Sequence, residues 1–172
     1  DDHPDLPPAY GSAGWTAGDG AFLAYDAYDV WMLDPTGKNA PRNVTEGQGR
    51  RDGIRFRYAS LEAQGGAGRF ARRGPVEAVP VDEDVTLSAF DTRTRASGYY
   101  RDRFDGNRVP QRLIWGDAAY SGARKAKDAD VVLFTQQTFR VFPDLWVTDA
   151  SFRSPRKVTD ANTQQAEYSW GT

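Results

Sequence analysis

The sequence predicts an all-β chain, a partial β-propeller of about three four-stranded antiparallel blades in an open arc. Two blade-sized segments repeat the same residues in the same order. Turn chemistry punctuates the chain at short intervals, and helical periodicity is thin throughout. Aromatic side chains suit a pleated, half-buried surface, and the 172 residues include five Trp, eight Tyr and nine Phe.

The repeat is the strongest of these signals. Asp29-Val30-Trp31-Met32-Leu33-Asp34 matches Asp144-Leu145-Trp146-Val147-Thr148-Asp149 in the pattern D-x-W-x-x-D. Downstream, Pro41-Arg42-Asn43-Val44-Thr45 matches Pro155-Arg156-Lys157-Val158-Thr159, so the two matches lie 115 and 114 residues apart. An apolar run precedes each copy, Ala21–Tyr25 in the first and Val131–Phe134 in the second. A blade of about 40 residues accommodates such a unit, and a repeat preserves what each blade needs for its own core. Asp29, Trp31, Asp34, Asp144, Trp146 and Asp149 are therefore read as structural repeat positions. The two aspartates that precede tryptophan are placed to accept main-chain N–H groups from a turn.

Each element follows from local chemistry. Residues 1–14 read as an extended lead-in, three prolines falling within its first nine residues. Asp19-Gly20 supplies a turn before Ala21–Tyr25, and Asp34-Pro35-Thr36-Gly37 a turn after Trp31. A short strand follows around Val44. Val85–Phe90, Ser97–Tyr100 and Arg112–Trp115 are the strands of a third, degenerate unit between the two copies, with a hairpin turn at Asp105-Gly106-Asn107. The expected units are 15–60, 76–118 and 120–168 within a propeller region 15–172. Residues 62–75, rich in Gly and Arg, are read as a flexible surface insertion. The best helical stretch is Ala118 to Asp130, interrupted by Gly122 and with little apolar face.

Composition excludes several function classes. There is no Cys, so disulfides, thiolate zinc sites and cysteine nucleophiles are absent. A net charge of −2 gives no general attraction to nucleic acid or to an anionic membrane. No apolar run approaches the roughly 20 residues of a spanning helix. The chain begins at Asp1 rather than Met, which reads as a processed chain or a piece of a longer one.

Chemistry-bearing residues are sparse. The only histidine, His3, lies in the lead-in, where it is read as an exposed tail residue and not a base. Asp82-Glu83-Asp84 and the Asp128/Asp130 pair are read as solvated turns, not as glycosidase carboxylates. Asp102 to Asn107 lacks the alternating ligands and terminal Glu of a calcium loop. Gly65-Gly66-Ala67-Gly68 lacks the lysine and strand–helix context of a phosphate loop. Arg50, Arg51, Arg55, Arg57, Arg69, Arg72 and Arg73 form a loosely basic stretch, read as a solvated face with ion pairs. Asn43-Val44-Thr45 fits a glycosylation sequon and is read as incidental. No metal, cofactor or catalytic set is implied.

The same quoted residues resemble a known family. Ala24 to Trp31, Asp34-Pro35, Asn43-Val44-Thr45 and Gly49-Arg50 are similar to the propeller of large bacterial S9 (prolyl oligopeptidase-like) serine peptidases. Phe134 to Phe139, Phe142 to Trp146, Val158 to Asn162 and Gln164-Gln165 through Thr172 resemble that family's last blades and the strand leading toward its hydrolase domain. The resemblance runs from Trp15 to Thr172 and implies a propeller that caps an α/β-hydrolase domain and filters substrates by size. It implies the remaining blades and that hydrolase domain as partners, and favours a bacterial secreted or periplasmic setting. No G-x-S-x-G elbow and no Glu-Glu pair occur, so no functional residue carries over and the chain is expected not to be an enzyme by itself.

Two rival readings remain. In the first, Tyr99, Tyr100 and Trp115 line a site for peptides or glycans on a free-standing module. In the second, clustered aspartates act as catalytic carboxylates. Independently of function, an open arc leaves unpaired edges and an uncovered blade face, which predicts association with copies of the chain or cover from elsewhere.

Overall fold

A computed structural model describes residues 8–61, 77–106 and 108–168, and its strands form three antiparallel four-stranded sheets. Sheet 1 contains β1 (Ser12–Trp15), β2 (Phe22–Tyr25), β3 (Val30–Leu33) and β4 (Arg42–Asn43). A single helical turn and a half, α1 (Gln48–Asp52), leads into sheet 2. That sheet holds β5 (Ile54–Tyr58), β6 (Val85–Asp91), β7 (Ser97–Asp102) and β8 (Gln111–Gly116), and sheet 3 holds β9 (Ala119–Lys125), β10 (Val132–Gln137), β11 (Asp144–Thr148) and β12 (Arg156–Lys157). Each sheet is a meander whose strands are neighbours in sequence order, the connectivity of a propeller blade.

The sheets stack face to face, and strand alternation shows how. In β2 and β3, Leu23, Tyr25, Val30 and Met32 share one face and pack into a core with Phe56, Leu87, Tyr100 and Phe104 of sheet 2. The opposite face of sheet 2 carries Tyr99, Leu113 and Ile114, which pack against Val132, Phe134 and Trp146 of sheet 3. The central sheet is thus covered on both sides, and β7 is buried at Gly98, Tyr99 and Tyr100 in succession. Sheets 1 and 3 are each covered on one side by sheet 2. The architecture is all-β and propeller-like, a row of three blades.

Three boundaries differ from those expected. Ile54–Tyr58 was placed in the first unit, yet it pairs with β6 from Ile54↔Asp91 to Tyr58↔Leu87 and is the first strand of sheet 2. The segment read as an insertion between units therefore comes in sequence between β5 and β6, two strands of one sheet; its residues 62–75 lie outside the described ones. Sheet 1 begins at Ser12, inside the expected lead-in, because β1 pairs with β2 across a turn at Ala17–Asp19. The stretch Ala118–Asp130, with the least weak of the helical signals, is strand, in keeping with the all-β reading. Tyr120 and Ala123 are needed in the second core, and Gly122, at φ +64°, sits at a register break between β9 and β10, where a bulge requires positive φ.

Candidate functional site

The repeated aspartates build two matching clasps. Asp29, with no solvent exposure, lies immediately before β3. Its Oδ1 accepts the Thr45 hydroxyl at 2.8 Å and the Gly49 N–H at 2.9 Å, and its Oδ2 accepts the Arg50 N–H at 3.1 Å. Thr45 Oγ1 in turn accepts the Val30 N–H at 3.2 Å. In sheet 3, Asp144 Oδ1 accepts the Thr159 hydroxyl at 2.8 Å and the Ala161 N–H at 2.9 Å, while Thr159 Oγ1 accepts the Leu145 N–H at 2.9 Å. The aspartate at the start of a blade's third strand and the threonine past its fourth strand thus close the same ring twice. Each clasp ties the third strand to the chain as it leaves the sheet. Lys157 Nζ, 2.8 Å from Asp144, adds a charge in the second copy.

The middle sheet uses a smaller version. Ser97, at the start of β7, donates its hydroxyl to the Ala118 carbonyl at 2.7 Å and accepts the Tyr120 N–H at 3.2 Å. A hydroxyl suffices there because the connection to β9 is only Asp117-Ala118 and runs close by. The repeat match already contained Thr45 and Thr159 but assigned them no role. Ser97 carries no repeat signature at all.

Gly49 shows how closely the first clasp is packed. A Cβ there would stand 2.7 Å from both Asp29 Oδ1 and the Ile54 carbonyl oxygen and 2.9 Å from that of Tyr28. The Asn43-Val44-Thr45 sequon is part of the same construction, since Asn43 Oδ1 accepts the Thr45 N–H at 3.0 Å and Thr45 is fully buried. Thr45→Val is expected to lower stability by about 1–2 kcal/mol, because it strips Asp29 of one donor and Val30 of its acceptor while preserving volume. Denaturant titration of the two proteins checks this.

The second repeated aspartates shape the hairpins that follow. Asp34 accepts the Thr36 N–H and hydroxyl, both at 2.7 Å, and the Asn39 N–H at 3.0 Å. Asp149 accepts the Ser151 N–H at 2.9 Å. Trp31 and Trp146 occupy matching positions on the third strands. Trp31 faces Ala24 and Asn43 in register, and Trp146 faces Phe134 and Lys157, stacking on the Phe134 ring at 6.4 Å.

The three aromatics considered as a ligand platform are not displayed as one. Tyr99 and Tyr100 are 3% and 2% exposed and point into opposite cores. Trp115 is half-buried, edge-on to Tyr100 at 5.8 Å. Tyr99 and Tyr100 offer no ligand platform because their strand, placed where the sequence predicts one, belongs to a sheet covered on both faces.

The charged clusters are likewise engaged within the fold. Asp84 lies 3.6, 3.7 and 3.9 Å from Arg108, Arg101 and Arg103. Asp130 accepts the Ala150 N–H at 3.0 Å. In the basic stretch, Arg50 meets Asp26 at 2.9 Å, Arg55 lies over the Phe90 ring and Arg57 over the Tyr25 ring. Among the described residues no group of three acidic or histidine side chains is placed to hold a metal, and no helix is long and apolar enough to cross a membrane. His3, the Gly65–Gly68 stretch and Arg69, Arg72 and Arg73 lie outside the described residues.

An open cleft of about 630 Å³ lies between sheets 2 and 3, and another of about 580 Å³ beside Asp117 and Thr138. Tyr58, Leu61, Glu83, Arg101 and Lys125 are among the lining residues of the first. Its lining mixes charges, Glu83 and Asp84 with Arg101 and Lys125, at an open mouth. Arg101 also donates to the Ser151 hydroxyl at 3.1 Å, so one of the cleft's cations joins sheet 2 to sheet 3.

No protein-family model, curated protein or solved structure matches the chain.

Proposed function

We propose that the chain is a non-catalytic propeller segment of an S9-type serine peptidase, a rigid wall that limits which substrates reach a hydrolase domain elsewhere in the protein. The observation that supports this reading is the duplicated Asp–Thr clasp. The repeated Asp29, Thr45, Asp144 and Thr159 are spent on fastening sheets 1 and 3. Family membership rests on the sequence resemblance of Trp15–Thr172, and the steric role follows from it.

The binding-module reading loses its main motive with the burial of Tyr99 and Tyr100. The carboxylate reading loses its own, since Asp84 and Asp130 are taken up by arginines and a main-chain N–H.

Two measurements test the proposal. The isolated chain is expected to hydrolyse no chromogenic prolyl or alanyl peptide; turnover abolished by a serine-directed inhibitor would refute the non-catalytic role. The coding sequence beyond Thr172 is expected to encode a G-x-S-x-G nucleophile elbow between a strand and a helix. A continuation without a hydrolase domain would refute the peptidase assignment and leave the blade architecture standing.

A further inference from the structure

The duplicated unit allows residues of sheet 1 and sheet 3 to be compared position by position. Pairing Trp31 with Trp146 and following the strand registers sets Leu23, Val30 and Val44 against Leu133, Leu145 and Val158. In sheet 1 these three residues have no solvent exposure, because they face sheet 2. In sheet 3 the corresponding residues are 38%, 38% and 41% exposed. The apolar character is kept at every position, while the covering sheet is missing.

A charged residue follows the same rule. Arg42 points from sheet 1 to the main-chain carbonyls of Phe104, at 3.0 Å, and Asp105, in the β7–β8 hairpin of sheet 2. Arg156 is its equivalent, paired with Val147 as Arg42 is paired with Met32. It is exposed on the same face as Leu133 and Leu145. The outer face of sheet 3 therefore presents the whole set that sheet 1 uses to hold its successor.

The other end of the row carries the complementary half. The third strand of each sheet sends a large aromatic toward the sheet before it: Tyr100 into the core shared with sheet 1, and Trp146 into the core shared with sheet 2. Trp31 is the equivalent in sheet 1. By register it shares the outer face with Phe22, Leu33 and Trp15, the last 42% exposed and in ring contact with Phe22 at 5.0 Å. Nothing among the described residues stands in the place of a preceding sheet.

From these two faces we propose that a second copy of this chain docks head to tail. The outer face of sheet 3 in one copy stacks on the outer face of sheet 1 in the next, continuing the sheet-on-sheet contact found between sheets 1 and 2 and between sheets 2 and 3. Such a contact is heterologous, since two different patches meet. Arg156 of one copy then reaches the carbonyls of the Asp34–Pro41 hairpin in the other, as Arg42 reaches those of the β7–β8 hairpin. Two copies supply six blades, within the four to eight that propellers use. The proposal rests on the repeat equivalence and not on the peptidase reading, under which the parent protein's remaining blades would take these same two faces.

Sedimentation velocity on the 172-residue chain and two blocked variants tests it. Leu133→Lys with Leu145→Lys blocks the sheet 3 face; Trp15→Glu with Phe22→Glu blocks the sheet 1 face. The unaltered chain is expected to associate as concentration rises, each blocked variant alone to sediment as a monomer, and their equimolar mixture to form a one-to-one pair that grows no further. Circular dichroism establishes that the variants are folded, and the milder Arg156→Ala is expected to weaken association about tenfold without blocking it. A chain that remains monomeric at sub-millimolar concentration would overturn the proposal. So would a folded variant blocked on one face that still self-associates, because the contact would then join like faces or lie elsewhere.

Discussion

Asp29→Ala is expected to lower the stability of the chain by about 3–5 kcal/mol, a large part of what a domain of this size possesses. The substitution removes a carboxylate that no water reaches and leaves the Thr45 hydroxyl and the N–H groups of Gly49 and Arg50 without their acceptor. It also opens space beneath α1, a helix too short to persist without tertiary support. Because β5 starts directly after Gly53, the damage passes from sheet 1 to the first strand of sheet 2. Asp29→Asn keeps an oxygen for one partner but turns an amide toward another donor, so it is expected to recover less than half of the loss. Urea unfolding followed by tryptophan fluorescence provides the numbers. A cost below about 1 kcal/mol for Asp29→Ala would mean that the clasp is incidental to the blade.

How much of this was legible in the sequence follows from which residues a blade must repeat. The D-x-W-x-x-D and V-T positions recur because every clasp needs a carboxylate, a threonine and a close main chain, so the cores of sheets 1 and 3 could be located from one alignment. The first strand of a blade has no such obligation. β5 and β9 share no motif with β1, which is why Ile54–Tyr58 was attached to the wrong sheet and Ala119–Lys125 was read as the best helical stretch. Tyr99-Tyr100 misled for a different reason. Two adjacent aromatics break the alternation of a half-exposed strand, so Ser97–Tyr100 was legible as a strand but not as one buried on both faces, which has no polar side to alternate with. Ser97 was invisible because a serine at a strand start has no distinguishing neighbour. The proposed S9 membership is a separate matter, since the stacking of these sheets follows from their own residues.

Asp102 sets the pH dependence of the fold, and Asp102→Asn is expected to stabilise the chain by about 2 kcal/mol at pH 8. Asp102 ends β7 opposite Val85, fully buried; the Arg103 N–H meets its Oδ1 at 2.8 Å, and its Oδ2 has no hydrogen-bond partner among the described residues. Burial pushes its carboxyl up to about 7, aided by the negative charges of Asp105 and Glu46 and opposed by the Arg103 N–H and by Arg108. An unfolded aspartate titrates near 3.9, so between about pH 4 and pH 7 the folded chain holds a proton that the unfolded chain has lost. Stability therefore falls as pH rises through that window. The asparagine variant presents the same shape without a charge to bury, and is expected to abolish the decline while changing little at pH 4. Asp144 acts in the opposite sense. The Lys157 ammonium, the Ala161 N–H and the Thr159 hydroxyl hold its carboxyl down to about 2, so its contribution is complete above the unfolded value and disappears as pH falls toward 2. The two carboxylates together place the stability maximum near pH 4–5, below the range in which domains are usually most stable. Thermal melts from pH 3 to pH 8 on the parent and Asp102→Asn chains test this. A parent melting temperature that is flat from pH 4 to pH 8, or an asparagine variant that melts lower at pH 8, would show that Asp102 is ionised in the folded chain and stabilised by partners outside its immediate shell.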